Sequence, residues 1–255
     1  MDYLRTRVTA IERPAPEHVL VRFAGDRPIE GRPGQFVMVR GEWGFHPVLA
    51  RAFSLVEAGE QGAILVRVVG EGTALLDGLR PGDSLAVLGP QGRGFSEPET
   101  GRRVVLVAGG VGVAPLVFMA ERVANGGGRA TFLYGARTSA DLPLEERIRG
   151  VADLTVTTED GSIGRQGLVT EPLVQILADS TDVQIYACGP EPMLAAVARL
   201  AVASGVPCEV ALESRMACGM GTCKGCAVLA ADREYRYVCS DGPVFEAIAI
   251  YGGDQ

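Results

Sequence analysis

Length, composition and charge narrow the classes of protein to which this chain can belong. Its 255 residues suffice for one large domain or two ordinary ones, and 47% hydrophobic with 22% charged residues is normal for a globular protein. A net charge of −7 provides no basic footprint for a phosphate backbone, so we expect no nucleic-acid partner. The longest apolar run, Val104–Ala120, is interrupted by glycines and is short for a bilayer, so we also expect no membrane span.

The first 95 residues alternate β-rich segments with turn signals such as Pro-Gly. The β-rich segments are Val19–Phe23, Gln35–Val39, Ala63–Val69 and Ser84–Leu88. Short strands at this spacing predict a small antiparallel barrel, with one short helix at Thr73–Leu79.

A polar, proline-containing break at Ser96–Gly101 precedes a change of pattern. Beyond it we predict strands at Val104–Val107, Ala130–Tyr134, Leu154–Thr158 and Val183–Ala187, and helices at Pro115–Asn125, Leu144–Arg149, Val169–Ala178 and Glu191–Ser204. Strands alternating with helices predict a parallel sheet covered on both faces. We therefore expect a barrel at 1–98, an α/β domain at 99–207 and a small C-terminal domain at 208–255.

Four cysteines near the C-terminal end form the most specific pattern in the chain. Cys218, Cys223 and Cys226 have the spacing C-x4-C-x2-C, and Cys239 follows thirteen residues later. This is the plant-type spacing of the ligands of a [2Fe–2S] cluster. The intervening glycines let the backbone wrap closely and direct N–H groups at sulfide. The pattern predicts a protein that moves single electrons.

Other uses of these cysteines are less consistent with the pattern. Structural zinc sites usually pair two C-x2-C knuckles or add histidines, and His18 and His46 are remote in sequence. A redox dithiol would open a helix after a strand, whereas this segment is rich in glycine. Disulfides need an oxidising compartment, while a metal cofactor fits the reducing cytoplasm that we expect. A non-catalytic nucleotide-sensing module with structural zinc remains an alternative, which predicts a colourless protein.

Two segments of the barrel region predict a flavin site. In Arg51–Ser54 an arginine can hold a pyrophosphate, a serine can bond the flavin edge and an aromatic ring can pack on it. Gly70–Thr73 precedes a predicted helix, and helix N-termini bind anions. The candidate flavin-binding residues are Arg51, Ala52, Phe53, Ser54, Arg67, Val68, Val69, Gly72 and Thr73.

Two further segments predict a nucleotide site in the α/β region. Gly109–Pro115 follows a buried strand and opens a helix, although it is not the G-x-G-x-x-G fingerprint. Cys188–Met193 follows another strand at its carboxyl end, where parallel sheets bind ligands. No catalytic residue is assigned with certainty; Cys188 can contact a nicotinamide or simply pack as a small buried residue. The candidate residues are Gly109, Gly110, Val111, Gly112, Ala114, Pro115, Cys188, Gly189, Pro190, Glu191 and Met193.

In this order, the motifs resemble the ferredoxin reductase-like flavoproteins and, within them, the electron-transfer subunits of dihydroorotate dehydrogenase B. The resemblance covers nearly the whole chain and is most specific in Glu213–Cys226 and Val238–Phe245. It implies a barrel that binds FAD, an α/β domain that binds NAD, and a cluster held by the four cysteines. Arg51 would then bond the FAD phosphate and Ser54 the flavin, with further FAD contacts from Gly72 and Thr73.

The resemblance also implies a partner, an FMN-containing catalytic subunit that oxidises dihydroorotate to orotate in pyrimidine biosynthesis, in a heterotetramer with two copies of each chain. One departure is that the family often has Arg-Pro-Ile-Ser where this chain has Arg51–Ser54. The alternative is the small subunit of a sulfide dehydrogenase or of a ferredoxin:NAD(P) oxidoreductase or transhydrogenase. Some of those replace one cluster cysteine by a carboxylate, and all four are present here. NAD is favoured over NADP because Thr158–Gly161 is acidic.

Overall fold

The computed structural model describes residues 4–253. The N-terminal part is a closed antiparallel barrel with the strand order β1-β2-β5-β4-β3-β6. Its strands are β1 (Leu4–Ala15), β2 (His18–Gly25), β3 (Phe36–Gly41), β4 (Arg51–Glu57), β5 (Gly62–Arg67) and β6 (Ser84–Gln91). Helix α1 (Glu71–Asp77) connects β5 to β6.

The barrel buries side chains on both of its surfaces, which explains why its strands are rich in apolar residues. Along β2, Val19 and Val21 belong to the barrel interior, whereas Leu20 between them packs into the core of the second domain. This alternation follows from the two-residue period of a strand. One outer face of the barrel is therefore buried against the rest of the chain.

The second part is a parallel sheet with the order β10-β9-β8-β7-β11-β12. Its strands are β7 (Arg103–Gly109), β8 (Ala130–Ala136), β9 (Ala152–Thr158), β10 (Arg165–Gln166), β11 (Val183–Cys188) and β12 (Cys208–Ala211). The helices are α2 (Val113–Asn125), α3 (Glu145–Val151), α4 (Thr170–Asp179) and α5 (Glu191–Ser204). Helices α2 and α3 cover one face of the sheet and α4 and α5 the other, so β7 is buried on both sides.

The C-terminal segment contains a hairpin of β13 (Ala227–Leu229) and β14 (Tyr235–Tyr237), then β15 (Val244–Glu246) and α6 (Ala247–Tyr251). Strand β15 pairs antiparallel with β12 and extends the parallel sheet to seven strands. The expected fold class, a barrel with a parallel-sheet domain and a small C-terminal unit, is confirmed. The boundary expected after residue 207 precedes β12, which lies in the same sheet as β11, and the division into three domains stays a prediction.

Ion pairs connect the barrel to the α/β part. The Arg147 guanidinium on α3 lies 2.9 Å from the Glu57 carboxylate at the end of β4 and also pairs with Glu121 on α2. Helix α2 packs against β4 beside this network. Within residues 4–253, no helix is both long and apolar enough to cross a bilayer.

Candidate functional site

Cys218, Cys223 and Cys226 lie in a loop without regular secondary structure that packs on the outer face of the barrel, and Cys239 lies in the turn that follows the β13–β14 hairpin. Gly219, in this loop, lies against β3, since a Cβ atom there would stand 2.5 Å from Met38 Cγ. A positive φ of 70° at Gly219 also favours glycine. Cys226 and Cys239 are buried beside Met38 in a shared apolar core, whereas Cys223 is exposed. The loop therefore has an inner pair of ligands facing the barrel and an outer edge open to solvent.

Backbone N–H groups surround the sulfur atoms. Gly221 N lies 3.1 Å from Cys239 Sγ, Cys223 N lies 3.4 Å from Cys218 Sγ, and Cys239 N lies 3.4 Å from Cys226 Sγ. The N–H groups of Cys223 and Met220 both stabilise negative charge on Cys218 Sγ and lower the pKa of Cys218 to about 6. Burial acts in the opposite direction and raises the pKa of Cys239 to about 12, so metal binding there releases a proton.

The thiols and the N–H groups around them fit an iron–sulfur cluster. Cys226 Sγ and Cys239 Sγ are 3.2 Å apart, and the six cysteines form no disulfide in the described chain. In residues 4–253, no three metal-ligating side chains converge on one ion position. Thiolates with N–H donors around them are the environment of an iron–sulfur centre, whose potential depends on such bonds.

A cavity of about 300 Å³ lies where three parts of the chain meet: the barrel, the loop at 110–112 that leads into α2, and the segment at 212–216 that precedes the first cysteine. We name it the flavin cavity, after the contacts predicted for its barrel side. The barrel lines it with Ala52, Phe53, Ser54, Arg67, Val69 and Thr73, all predicted as flavin contacts. Leu212, Glu213, Ser214 and Met216 line it from the segment that leads to the cysteines. An aromatic ring, hydroxyls and apolar walls fit an isoalloxazine ring.

Arg51 is held beside the first turn of α1. A Cβ atom at Gly72 would stand 2.6 Å from Arg51 Nε, so only glycine leaves room for the guanidinium. Thr73 Oγ1 accepts hydrogen bonds from the N–H groups of Val69 (2.9 Å) and Gly70 (3.0 Å), which fixes the entry to the helix. Arg51, Val68 and Gly72 do not line the cavity themselves. Arg51 instead provides a cation against α1, the arrangement that a pyrophosphate requires.

A second cavity, of about 400 Å³, opens at the carboxyl ends of β7, β8, β9 and β11. We name it the nucleotide cavity, after the contacts predicted there. Of the predicted nucleotide contacts, Gly109, Gly110, Pro190 and Met193 line it. Val111 and Ala114 line the flavin cavity instead, because the loop turns after Gly110 and its next residues face the barrel. Gly112, Pro115, Gly189 and Glu191 line neither cavity.

Close packing explains the glycines of this loop. A Cβ atom at Gly112 would stand 2.3 Å from the Cys188 carbonyl oxygen, and one at Gly109 would stand 2.7 Å from Met193 Sδ. The loop therefore rests directly on the end of β11. The hydroxyl of Tyr134 donates to the Gly110 carbonyl oxygen at 3.2 Å and supports the loop from below.

Cys188 is 2% exposed and does not line either cavity. Burial raises the pKa of its thiol well above the ordinary value, with a further contribution from the charge of Glu213. The geometry is that of a packed thiol at the end of β11, and its contact with nicotinamide stays a prediction.

Arg67 joins the two cavities. It projects from β5, lines both spaces, and lies 3.3 Å from the Asp141 carboxylate of the α/β part. The nucleotide cavity is also lined by His18, which no sequence motif assigns to a site, and by Glu159, which enters the sequence analysis only as part of the acidic segment Thr158–Gly161. Their positions depend on contacts between remote segments, although Glu159 directly follows a predicted strand and could have been proposed on that ground.

A closed antiparallel barrel beside a parallel sheet, with cavities at their junction, defines a ferredoxin reductase-like oxidoreductase. The structure is similar to that of an NADH-dependent reduced ferredoxin-NADP oxidoreductase, with a TM-score of 0.84 and 28% identity over 96% of this chain and 89% of that chain. A ferredoxin reductase of carbazole 1,9a-dioxygenase shares the fold, with a TM-score of 0.71 and 23% identity over 81% of this chain and 67% of that one.

Sequence comparison is more specific. Residues 213–250 match the iron-sulfur cluster binding domain of dihydroorotate dehydrogenase B, and residues 106–199 match the oxidoreductase NAD-binding domain. The dihydroorotate dehydrogenase B (NAD(+)) electron transfer subunit of Caldanaerobacter subterraneus subsp. tengcongensis is 39% identical over 96% of each chain. That of Desulforamulus reducens is 36% identical over 94% of each chain. The chain belongs to the family of dihydroorotate dehydrogenase B electron transfer subunits.

Family membership confirms the expected set of cofactors, a [2Fe–2S] cluster, FAD and NAD. The assignment of individual residues to them stays a prediction, supported by the fit of the cysteine loop and the two cavities.

Proposed function

We propose that this chain carries electrons from a dihydroorotate-oxidising partner through a [2Fe–2S] cluster and FAD to NAD. The observation that carries the proposal is the contiguity of the three sites. Met216 lines the flavin cavity two residues before the first cysteine, and Arg67 lines both the flavin and the nucleotide cavities. Cluster, flavin and nicotinamide would therefore be neighbours in that order.

The cofactors would supply the electron chemistry, since the cluster carries one electron, flavin carries one or two, and NAD accepts a hydride. The chain's own residues bind and orient these groups. Cys218, Cys223, Cys226 and Cys239 would hold the cluster, Phe53 and Ser54 the flavin ring, and Gly109, Gly110 and Pro190 the nucleotide. The base that acts on dihydroorotate would belong to the partner.

The outer edge of the cysteine loop is the proposed entry point for electrons. Cys223 is exposed, and so is Met220 at 41%, whereas Cys226 and Cys239 face the barrel. We propose an FMN-containing catalytic subunit as the partner, with two copies of each chain in a cytoplasmic complex.

The nucleotide is proposed to be NAD rather than NADP. Glu159 follows β9 and lines the nucleotide cavity, where its carboxylate would repel a 2′-phosphate. Arg137, also in the lining, lies 3.8 Å from the carboxylate of Asp141.

The test is an anaerobic reconstitution. The purified chain, loaded with FAD and iron–sulfur cluster, is mixed with the FMN-type dihydroorotate dehydrogenase of the same organism, and NADH formation is followed after adding dihydroorotate. Turnover that requires both chains is the expected result. If NADH bleaches the flavin of this chain but dihydroorotate gives no turnover, the partner assignment is wrong.

A second candidate keeps the cofactors and changes the partner. The similarity over 96% of this chain to the NADH-dependent reduced ferredoxin-NADP oxidoreductase favours a ferredoxin-linked subunit. Ferredoxin-dependent reduction of NAD by the chain, without a dihydroorotate-oxidising partner, would support this candidate.

A further inference from the structure

Cations are concentrated around the cysteine loop, although the chain as a whole carries a net charge of −7. Under the proposed function, on which this inference rests, the loop is the entry point for electrons. Residues 214–231 contain two cations, Arg215 and Lys224, and no aspartate or glutamate. Both side chains are exposed. The edge at which a partner must arrive is therefore positive in a chain where acidic residues outnumber basic ones.

Lys224 is the only lysine of the chain and lies between two of the cysteines, Cys223 and Cys226. Its Nζ atom is 5.3 Å from the centroid of the Tyr237 ring, a cation–π contact with the end of β14. The neighbouring Cys223 is exposed as well. This contact holds the ammonium group at the solvent side of the loop, beside the proposed entry point.

The outer face of the barrel continues this positive surface. Met38 on β3 and Leu88 on β6 pair in register and pack with the cysteine segment in one apolar core. Two residues further along β3, Arg40 pairs with Ala86, which pairs on its other side with Arg5 of β1. Because strand side chains alternate with a period of two, Arg40 and Arg5 face the same side as Met38, about 7 Å beyond it.

A cleft of about 770 Å³ opens along this row of the barrel. Arg5, Arg7 and Arg40 line it, together with the carboxylates of Asp26 and Glu42. Among residues 4–253, none of the three arginines forms an ion pair. Arg7 and Arg40 donate instead to backbone carbonyl oxygens, which fix a guanidinium without neutralising its charge. Their charge is therefore available to a partner.

We propose that five residues form one docking face for an acidic surface of the protein that delivers electrons to the cluster. This cationic face consists of Arg5, Arg7, Arg40, Arg215 and Lys224. Charges at the rim of an interface act mainly on the association rate, by steering over about a Debye length, which is ~10 Å at 0.1 M salt. A partner drawn to the cationic face arrives at the exposed edge of the cysteine loop.

The first measurement is the association rate of the two proteins. The chain loaded with FAD and cluster binds the immobilised FMN-type dihydroorotate dehydrogenase of the same organism, and biolayer interferometry follows binding at low and high salt. Association should slow about 10-fold or more as salt rises, because steering is screened. In the variant R5Q/R7Q/K224Q, the rate at low salt should fall about 10-fold and lose most of its salt dependence.

The matched control is R129Q/R149Q/R199Q, which removes the same number of charges. These three arginines are exposed on the α/β part, before β8, in α3 and in α5. The association rate of this variant should stay within about twofold of wild type. Both triple variants should keep the Tm, the electron paramagnetic resonance signal of the cluster and the rate at which NADH bleaches the flavin.

The single lysine permits a second measurement that does not depend on activity. A carbodiimide activates a partner carboxyl, and Lys224 Nζ then forms an amide with it as the carboxyl oxygen leaves in the urea. Mass spectrometry of the digested complex should locate this zero-length cross-link at Lys224. High salt during the reaction should abolish it, since the contact is electrostatic.

Three results would overturn the proposal: an unchanged association rate in R5Q/R7Q/K224Q, an equal loss in the control variant, or no cross-link at Lys224 in a complex that turns over. If dihydroorotate gives no turnover, the partner assignment fails separately, and a [2Fe–2S] ferredoxin replaces the dehydrogenase in both measurements. A salt-sensitive complex linked through Lys224 then keeps the docking face, whereas binding of ferredoxin that ignores these residues overturns it.

Discussion

Replacing Gly112 by alanine tests whether the loop that leads into α2, which contains Gly112, must pack directly against the end of β11. The added Cβ would stand 2.3 Å from the Cys188 carbonyl oxygen, 2.5 Å from its carbonyl carbon and 2.7 Å from Gly189 N, whereas ordinary contacts are 3.4–4 Å. All three obstacles are backbone atoms, so no side-chain rotation relieves the clash. The loop or the strand end must move by about 1 Å.

Overpacking of this kind costs about 1–3 kcal/mol, and a backbone obstacle places G112A near the upper end. For a chain of this size each kcal/mol lowers Tm by about 2–4 °C, so we expect a decrease of roughly 6–12 °C. The displaced loop lines both cavities through Gly110 and Val111, so the KM for NADH in flavin reduction should rise as well.

Gly150→Ala is the matched control for the same atom change. Gly150 is the sixth residue of α3, is exposed, and has no atom within 4 Å of an added Cβ. G150A should raise stability by about 0.5–1 kcal/mol, because alanine favours helix more than glycine. Thermal unfolding by circular dichroism compares the two. A Tm of G112A within 2 °C of wild type, with an unchanged KM, would refute the packing argument.

Three further results are expected. G72A should push the Arg51 guanidinium away from α1 and weaken FAD binding roughly tenfold, because about one charge-assisted hydrogen bond is lost. Quenching of FAD fluorescence measures the affinity. An unchanged affinity would show that Arg51 does not hold the pyrophosphate. C223S should fold, because Cys223 is exposed. It should lose the cluster signal in electron paramagnetic resonance, while NADH still bleaches the flavin. A retained signal would remove Cys223 from the ligand set. Burial lowers the pKa of His18 below 6.5, so the unfolded chain takes up its proton first as pH falls. The free energy of unfolding should therefore decrease below pH 6.5 by up to about 1.4 kcal/mol per pH unit, and urea titrations of H18Q should lack this contribution.

Local patterns are sufficient for most elements of the barrel and of the α/β part, but not for β1, β10 or the elements after α5. The ligand role of the four cysteines stays a prediction from their spacing. The barrel and the alternation of strands and helices follow from hydrophobic period and turn residues, which act over a few positions. The cysteine spacing indicates a cluster because three ligands come from one short loop, whose geometry the glycines permit. Strand β4 begins at Arg51, in a segment whose residue types indicate a flavin motif but do not predict a strand.

Distribution of residues between the two cavities required the tertiary structure. Gly109–Pro115 is a single motif in the sequence, yet Gly110 lines the nucleotide cavity and Val111 the flavin cavity. The division arises where the loop passes between barrel and sheet, and no property of the segment alone specifies which residue faces which domain.

The chemistry available to this protein can be predicted from local sequence alone: four thiols with the spacing of cluster ligands, a flavin motif and glycine loops at strand ends. The order of these groups in space follows only from the packing of remote segments, which places Met216 and Glu213 at the flavin cavity and Arg67 between the two cavities. The physical reason is that ligand spacing and strand–loop signals are local, whereas a cavity forms where segments more than a hundred residues apart pack together, as β4 does with the segment after β12.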